Sequence, residues 1–408
     1  MYMVIDRITV REIFDSRGEP TIEVGVVSGS EASYAAIPSG KSRGAREATV
    51  VPFTQACATV SDLLAREIVG KRFDTIGALD RALIAQDGTK TKEVIGGNLM
   101  LGVSVAHARN LAASRGVPLW QVIRDEFFSE REPVRPPLIF SNLINGGSHA
   151  HNNLAFQEYL IVARTDSSIT ETVRDLVRFY HTLGEHLKDK YRIREIPIGD
   201  EEGYSLDFKT NLEPLSLMDE LVGTQGYHKN FSLGIDAAAS SFWSGTSYRF
   251  EGHERSTDDL LRIYRTYLAG LPTLISIEDP FAETDADGFA KLQAAFPKLI
   301  VVGDDLTVTD PALIETHARA QRIRGVIIKP NQIGTLSETC AAITAARRHG
   351  LQCIISHRSG ETEDTLIIHV ARASSAEGVK IGAPLNERMV KFDELIRVYE
   401  PSEKSYFV

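Results

Sequence analysis

Charged residues close a series of apolar runs in the second half of the chain. FSLGID ends at Asp236, LISIED reaches Glu278, IVVGDD opens its acid pair at Asp304 and GVIIK ends at Lys329. CIISH then ends at His357, and VK ends at Lys380. Gathered in one place, three carboxylates, two lysines and a histidine can do metal-assisted acid–base chemistry. Carboxylate oxygens are hard ligands that suit Mg2+, and a cation offsets the repulsion that three buried acids would carry. A lysine beside cations can lose its proton and serve as a base, or act purely electrostatically. Taken singly, each acid could instead cap a helix or pair with an arginine; three at successive run ends make that less persuasive. Asp305 follows Asp304 directly and points to the opposite side of a strand, so it is read as a loop or supporting residue.

The spacings name the scaffold. Glu278 to Asp304 is 26 residues, Asp304 to Lys329 is 25, Lys329 to His357 is 28 and His357 to Lys380 is 23. Each is about one strand, one helix and two turns, the period of a βα repeat, and chemistry in such barrels sits at the C-terminal ends of the strands. Asp236 to Glu278 is longer, at 42, because the polar stretch SGTSYRFEGHERSTDD intervenes. LIFSNLINGG and NLAFQEYLIVA read as the first strands, and ITETVRDLVRFYHTLGEHLKD as a long amphipathic helix. The first 130 or so residues differ in kind: strand-like MVIDRITVREIF and TIEVGVVSG flank the turn DSRGEP, and helical segments follow. The Pro-rich, charged SEREPVRPP marks a seam. Two domains are expected, 1–132 and 133–408, the second an α/β barrel.

Composition excludes other classes. Of 408 residues, 43% are apolar and 25% charged, and no run approaches the roughly 20 apolar residues that span a membrane. The start lacks a signal-like core. Cys57, Cys340 and Cys353 have no paired metal spacing and read as reduced thiols of a cytoplasmic protein. A formal charge of −10 opposes nucleic-acid binding, although Lys41, Arg43 and Arg46 make a local basic cluster.

With these residues in hand, the chain resembles the enolase (phosphopyruvate hydratase) family over nearly its whole length. The resemblance rests on DSRGEPTIEV at 15–24, SNLINGGSHAHNNLAFQE at 141–158, IGDE at 198–201, SIEDPFAE at 276–283, GDDLTVT at 303–309, KPNQIGT at 329–335, SHRSGETEDT at 356–365 and KIGAP at 380–384. It implies a modified TIM barrel, ββαα(βα)6, joined to a smaller N-terminal α+β capping domain with a mobile loop near 38–46. It implies that Asp236, Glu278 and Asp304 bind Mg2+, and that Ser42 helps order a second Mg2+. Lys329 is the implied proton-abstracting base and Glu201 the acid partner in leaving-group departure, with Glu158 nearby in that role. His149 encloses the substrate, His357, Arg358 and Ser359 meet its phosphate, and Lys380 neutralises its carboxylate. The implied reaction is reversible dehydration of 2-phospho-D-glycerate to phosphoenolpyruvate, by a homodimer. Retention of Ser42, Glu201, Lys329, Arg358 and Lys380 argues against a purely structural or interaction protein.

Three departures bear on this resemblance. The usual small-residue loop becomes SGKSRG, GDEGG becomes GDEEG with Glu202 in place of a glycine, and Pro330 follows the base lysine. Pro330 either stiffens the strand exit or re-aims Lys329. Glu202 replaces a permissive glycine and is expected to pair with the added basic residues. Lys41, Arg43 and Arg46 also open a second reading, similarity to carboxyphosphonoenolpyruvate synthase of phosphonate biosynthesis, in which extra cations accommodate phosphonoformate.

Overall fold

The computed structural model describes residues 3–41, 44, 46–128, 135–166 and 168–400. The seam expected between 132 and 133 therefore lies outside the described residues, as do Ser42 and Arg43.

The N-terminal part is a three-stranded antiparallel sheet, β1 (Arg7–Phe14), β2 (Pro20–Ser28) and β3 (Glu31–Ala36), backed by helices. The DSRG turn closes the first hairpin: the Asp15 carboxylate accepts the Arg17 and Glu19 amides at 2.8 and 3.0 Å, and Gly18 takes a left-handed φ of 76°. Alternation puts Ile22, Val24 and Val26 on the buried face. That face meets the almost wholly buried helix 97–115 at close range. A Cβ on Gly102 would lie 2.3 Å from Val24 Cγ2, so only glycine lets the two backbones approach this far.

The larger part is a closed eight-stranded barrel. Its strands in chain order are β4 (Leu138–Asn145), β5 (Glu158–Ala163) and β6 (Phe231–Asp236), then, after a small hairpin of β7 (Tyr248–Phe250) and β8 (His253–Arg255), β9 (Leu274–Glu278), β10 (Ile300–Gly303), β11 (Gly325–Ile328), β12 (Gln352–Ser356) and β13 (Gly378–Ile381). β5 runs antiparallel to both β4 and β6, and the remaining neighbours are parallel. Helices 169–191 and 213–224 separate β5 from β6. This is the ββαα(βα)6 order. Phe140, Leu160, Val162, Ile300, Val302, Ile327 and Ile354 fill the barrel interior as one apolar cluster.

The stretch read from sequence as merely polar and intervening holds the β7–β8 hairpin. Glu251 and Gly252 both take positive φ, 50° and 75°, the conformation a two-residue hairpin turn demands. Tyr248 and Phe250 are buried beneath it. No described helix is long and apolar enough to cross a membrane.

Candidate active site

The mouth is built from strand tips. Asp236 and Glu278 are register partners at the ends of β6 and β9, Glu158 opens β5 opposite Asp236, and Asp304 follows β10. Lys380 lies in β13 and reaches across. Its ammonium is 2.9 Å from Asp236 Oδ2, 2.8 Å from Glu278 Oε2 and 3.2 Å from Glu158 Oε2. Lys329, at the end of β11, pairs with Asp304. Four carboxylates thus crowd two ammonium groups in a largely buried mouth, and burial with the neighbouring Asp236 charge pushes Glu278 well above the usual carboxylate range. The donors are oxygens throughout, so the arrangement fits a hard divalent cation. Described residues whose ligand atoms lie within 4.8 Å of one another form two other groups, His149–Glu158–Glu201 and Asp279–Asp304–Asp305. Asp236, Glu278 and Asp304 do not form such a group in this ammonium-paired state.

Beside Lys380 stands a carboxylate pair framed by imidazoles. His149 Nδ1 is 3.7 Å from Glu158 Oε1 and 3.6 Å from Glu201 Oε1, while His357 Nε2 is 3.2 Å from Glu201 Oε2. Asn142 Nδ2 also donates to Glu201, at 3.2 Å. The flanking glycines make the approach possible: a Cβ on Gly199 would lie 2.6 Å from the His149 carbonyl, and one on Gly203 2.6 Å from Asn145 Oδ1. His149, Gln157, Glu158, Glu201, Lys329, Arg358, Ser359 and Lys380 line one pocket.

The electrostatics divide these groups. Burial, reinforced by the Glu201 charge, pushes Glu158 well above the usual carboxylate range. Burial would raise Glu201 too, but His357 and His149 beside it hold it low. Burial lowers both histidines, against the pull of the Glu201 charge. Burial alone would lower Lys329; Asp304 and then Glu278 more than offset it, and the ammonium is held above its ordinary value. Lys380 is raised further, because its carboxylate neighbours outweigh its desolvation.

Arg358, Ser359 and Lys41 cluster beside this. Arg358 is buried and bonds to Glu47 and Asn331, and Ser359 Oγ accepts the Lys41 amide at 3.0 Å. Lys41 Nζ is 2.8 Å from Asp200. Segment 38–41 is docked on the 358–361 turn through paired Ser39–Gly360 backbone bonds of 2.7 and 2.9 Å. Arg46 is exposed and its charge acts on His317.

Two departures resolve locally. Among the described residues, Glu202 turns to Asn386 rather than to the basic loop: it sits at φ 66° and its carboxylate accepts from Asn386 Nδ2 at 2.8 Å. The left-handed backbone turns its side chain toward the 386–388 turn. Pro330 opens a single helical turn, 330–333, at the position where a missing N–H costs nothing, and Lys329 takes the extended φ of −119° that a following proline favours.

Sequence reasoning passed over Asp279. Its carboxylate accepts the amides of Asp304 at 3.0 Å and Asp305 at 2.7 Å, tying the β9 tip to the β10 tip from a strained φ of 38°. The acid pair ED in SIEDP was the available signal. Asp305 supports rather than leads: burial, then the Asp304 charge, pushes it up to about 7.

A closed barrel that opens with two antiparallel neighbours, carries acids and lysines at one mouth and is joined to a smaller α+β unit defines the enolase-type modified barrel. The enolase C-terminal TIM barrel domain model matches residues 134–406 and the enolase N-terminal domain model residues 5–123. The enolase of Methanopyrus kandleri is 38% identical over 411 residues, covering 96% of this chain and 95% of the relative. That of Acidothermus cellulolyticus is 39% identical over 412 residues, covering 97% and 94%, and that of Ehrlichia canis 37% over 412, covering 97% and 96%. The chain belongs to the enolase family.

Proposed function

We propose that this chain is a phosphopyruvate hydratase that interconverts 2-phospho-D-glycerate with phosphoenolpyruvate and water in the presence of Mg2+. The observation that carries the reading is that Lys329, Lys380, the Glu158–Glu201 pair, Arg358 and Ser359 line one pocket, with Lys380 bonded to Glu158 and Lys329 to Asp304. The family membership and the enolase relatives support it. A homodimer is part of the same proposal, and the two matched family models support a division near 132 into capping and catalytic domains. Three unpaired thiols, Cys57, Cys340 and Cys353, support a cytoplasmic setting.

A divalent cation held by Asp236, Glu278 and Asp304 would supply Lewis-acid stabilisation to a substrate carboxylate as negative charge builds on it. Arg358 and Ser359 bind the phosphoryl oxygens with directed donors. Lys380 faces the substrate carboxylate and offsets its charge. Lys329, once its hold on Asp304 loosens and it is neutral, takes the proton from C2, leaving the electron pair delocalised into the carboxylate. The pair then forms the C2–C3 double bond as the C3–O bond breaks. The departing hydroxyl takes a proton from the Glu158–Glu201 pair and leaves as water; burial favours the proton on Glu158, and the pair shares it. His149 and His357 wall the cavity against bulk water.

The second reading, carboxyphosphonoenolpyruvate synthase, draws on Lys41, Arg43 and Arg46. Of these, Lys41 already pairs with Asp200 and Arg46 is exposed. Incubation of the purified chain and Mg2+ with 2-phosphoglycerate, with and without phosphonoformate, followed by phosphorus NMR, decides between them. Phosphoenolpyruvate in both mixtures supports the hydratase. A phosphonoformate-dependent adduct replaces it with the synthase, and silence in both mixtures removes both.

A further inference from the structure

Arg358 is 4% exposed and lines the cavity, yet its guanidinium is held by a residue far away in sequence. Glu47 Oε2 accepts from Nη1 at 3.0 Å and Glu47 Oε1 from Nη2 at 3.3 Å, and Asn331 Oδ1 takes a further bond from Nη1 at 3.1 Å. Two parallel N–H···O bonds fix the plane of a guanidinium as one bond cannot. The same Glu47 oxygen accepts from Gln332 Nε2 at 3.2 Å, and that amide nitrogen also donates to Asp304 Oδ1 at 3.1 Å. Gln332 is itself fixed: Thr309 Oγ1 donates to its Oε1 at 2.6 Å, and Thr309 Oγ1 accepts the Lys329 amide at 3.0 Å. One buried chain of bonds therefore joins the anion-binding arginine, an acid of the barrel mouth and the lysine at its edge.

We propose that Glu47 is the positioning residue of the anion site: its carboxylate presets the Arg358 guanidinium for a phosphoryl group and, through the Gln332 amide, couples that group's binding to the Asp304 carboxylate. This rests on the reading of Arg358 as the phosphoryl contact. A flexible arginine that must be ordered on binding gives up affinity; one already held in plane does not. Glu47 touches no reacting atom, so its loss acts first on binding. A residue that served only as buried counter-charge to Arg358 would instead lower stability and the amount of active protein, leaving KM alone.

The test compares the full chain with its near-isosteric Glu47→Gln and charge-retaining Glu47→Asp variants. In Mg2+ buffer, calorimetric titration with inorganic phosphate is expected to show about tenfold weaker binding in Glu47→Gln and partial recovery in Glu47→Asp. With 2-phosphoglycerate, KM rises by a larger factor than kcat falls. Parent-like phosphate affinity in Glu47→Gln, no phosphate binding by the parent, or a loss confined to kcat overturns the proposal. Weakened phosphate binding in a parent chain that does not turn over 2-phosphoglycerate leaves this positioning role standing and removes the hydratase reading alone.

Discussion

Lys380 Nζ lies 2.9 and 2.8 Å from the two carboxylate oxygens of Glu278, so one ammonium is shared by both arms of a single acid while Asp236 and Glu158 crowd the same nitrogen. It holds the carboxylates of the mouth together. Removing one partner of a buried charge cluster costs about 3–5 kcal/mol, since the remaining charges are left uncompensated. Lys380→Met is therefore expected to lower the melting temperature in the presence of a chelator, and to gain more from added Mg2+ than the parent does. Thermal scans with EDTA and with Mg2+ read this directly. An equal Mg2+ response in the two proteins would show that the cation does not use these acids.

The division of labour between Lys329 and Glu201 separates two steps that one turnover assay merges. Lys329→Ala removes the only group proposed to take the C2 proton, so exchange of that hydrogen into deuterated water stops along with dehydration. Glu201→Gln leaves Lys329 and its Asp304 partner untouched. Exchange at C2 then continues while phosphoenolpyruvate formation falls by about a hundredfold or more, the usual scale of lost acid–base help, because the Glu158–Glu201 pair that shares the proton is broken. Proton NMR of 2-phosphoglycerate in D2O follows the first quantity and phosphorus NMR the second. Exchange at the parent rate in Lys329→Ala would remove the lysine from the mechanism.

The strand tips were legible because a buried parallel strand is an apolar run, and a charge at its end has one open side to face. That logic reached Asp236, Glu278, Asp304, Lys329 and Lys380 at once. It could not reach Glu47, whose bond to Arg358 spans 311 positions, or Gln332, which bridges two carboxylates from inside a one-turn helix. Such contacts come from closure of the barrel and the docking of the smaller domain, and no local period encodes them. Asp279 was hidden differently: its carboxylate serves backbone amides of the next strand, so its partners have no side-chain signature. Glu202 was misdirected by charge alone, because its left-handed backbone decides where the carboxylate goes.

Asp80 sets a pH dependence on the seam between the two domains. It lies in helix 76–87, fully buried, and its Oδ2 accepts the Ser337 amide at 2.9 Å and hydroxyl at 2.7 Å across the domain contact. Burial pushes its carboxyl up to about 6. An unfolded Asp titrates near ~3.9, so between roughly pH 4 and pH 6 the folded chain binds more protons than the unfolded one. This group's contribution therefore falls as pH rises through that window, by roughly 3 kcal/mol in all, and is constant above it. Asp80→Asn removes the titration. Urea midpoints of the variant are expected to gain on those of the parent from pH 4 to pH 6 and then run parallel. Parallel curves throughout would mean that Asp80 is not held protonated by its site.

Gly102 decides how closely the small sheet and its central helix pack. Alanine at an interior helix position is favoured over glycine by about 1 kcal/mol, and propensity alone would make Gly102→Ala stabilising. The new methyl would meet Val24 Cγ2 at 2.3 Å and Val24 Cβ at 2.6 Å, and a β-branched valine has little rotamer freedom with which to retreat. Overpacking of this kind costs about 1–3 kcal/mol, so the clash outweighs the propensity and Gly102→Ala is expected to destabilise. Shortening the partner tests the cause: Val24→Ala alone opens a cavity and destabilises, whereas Val24→Ala combined with Gly102→Ala refills part of the space. The double variant should be more stable than the sum of the single changes allows, with a coupling of about 1 kcal/mol in a denaturant double-mutant cycle. Strict additivity would show that the helix and sheet can part without cost, and that Gly102 is not what holds them at this distance.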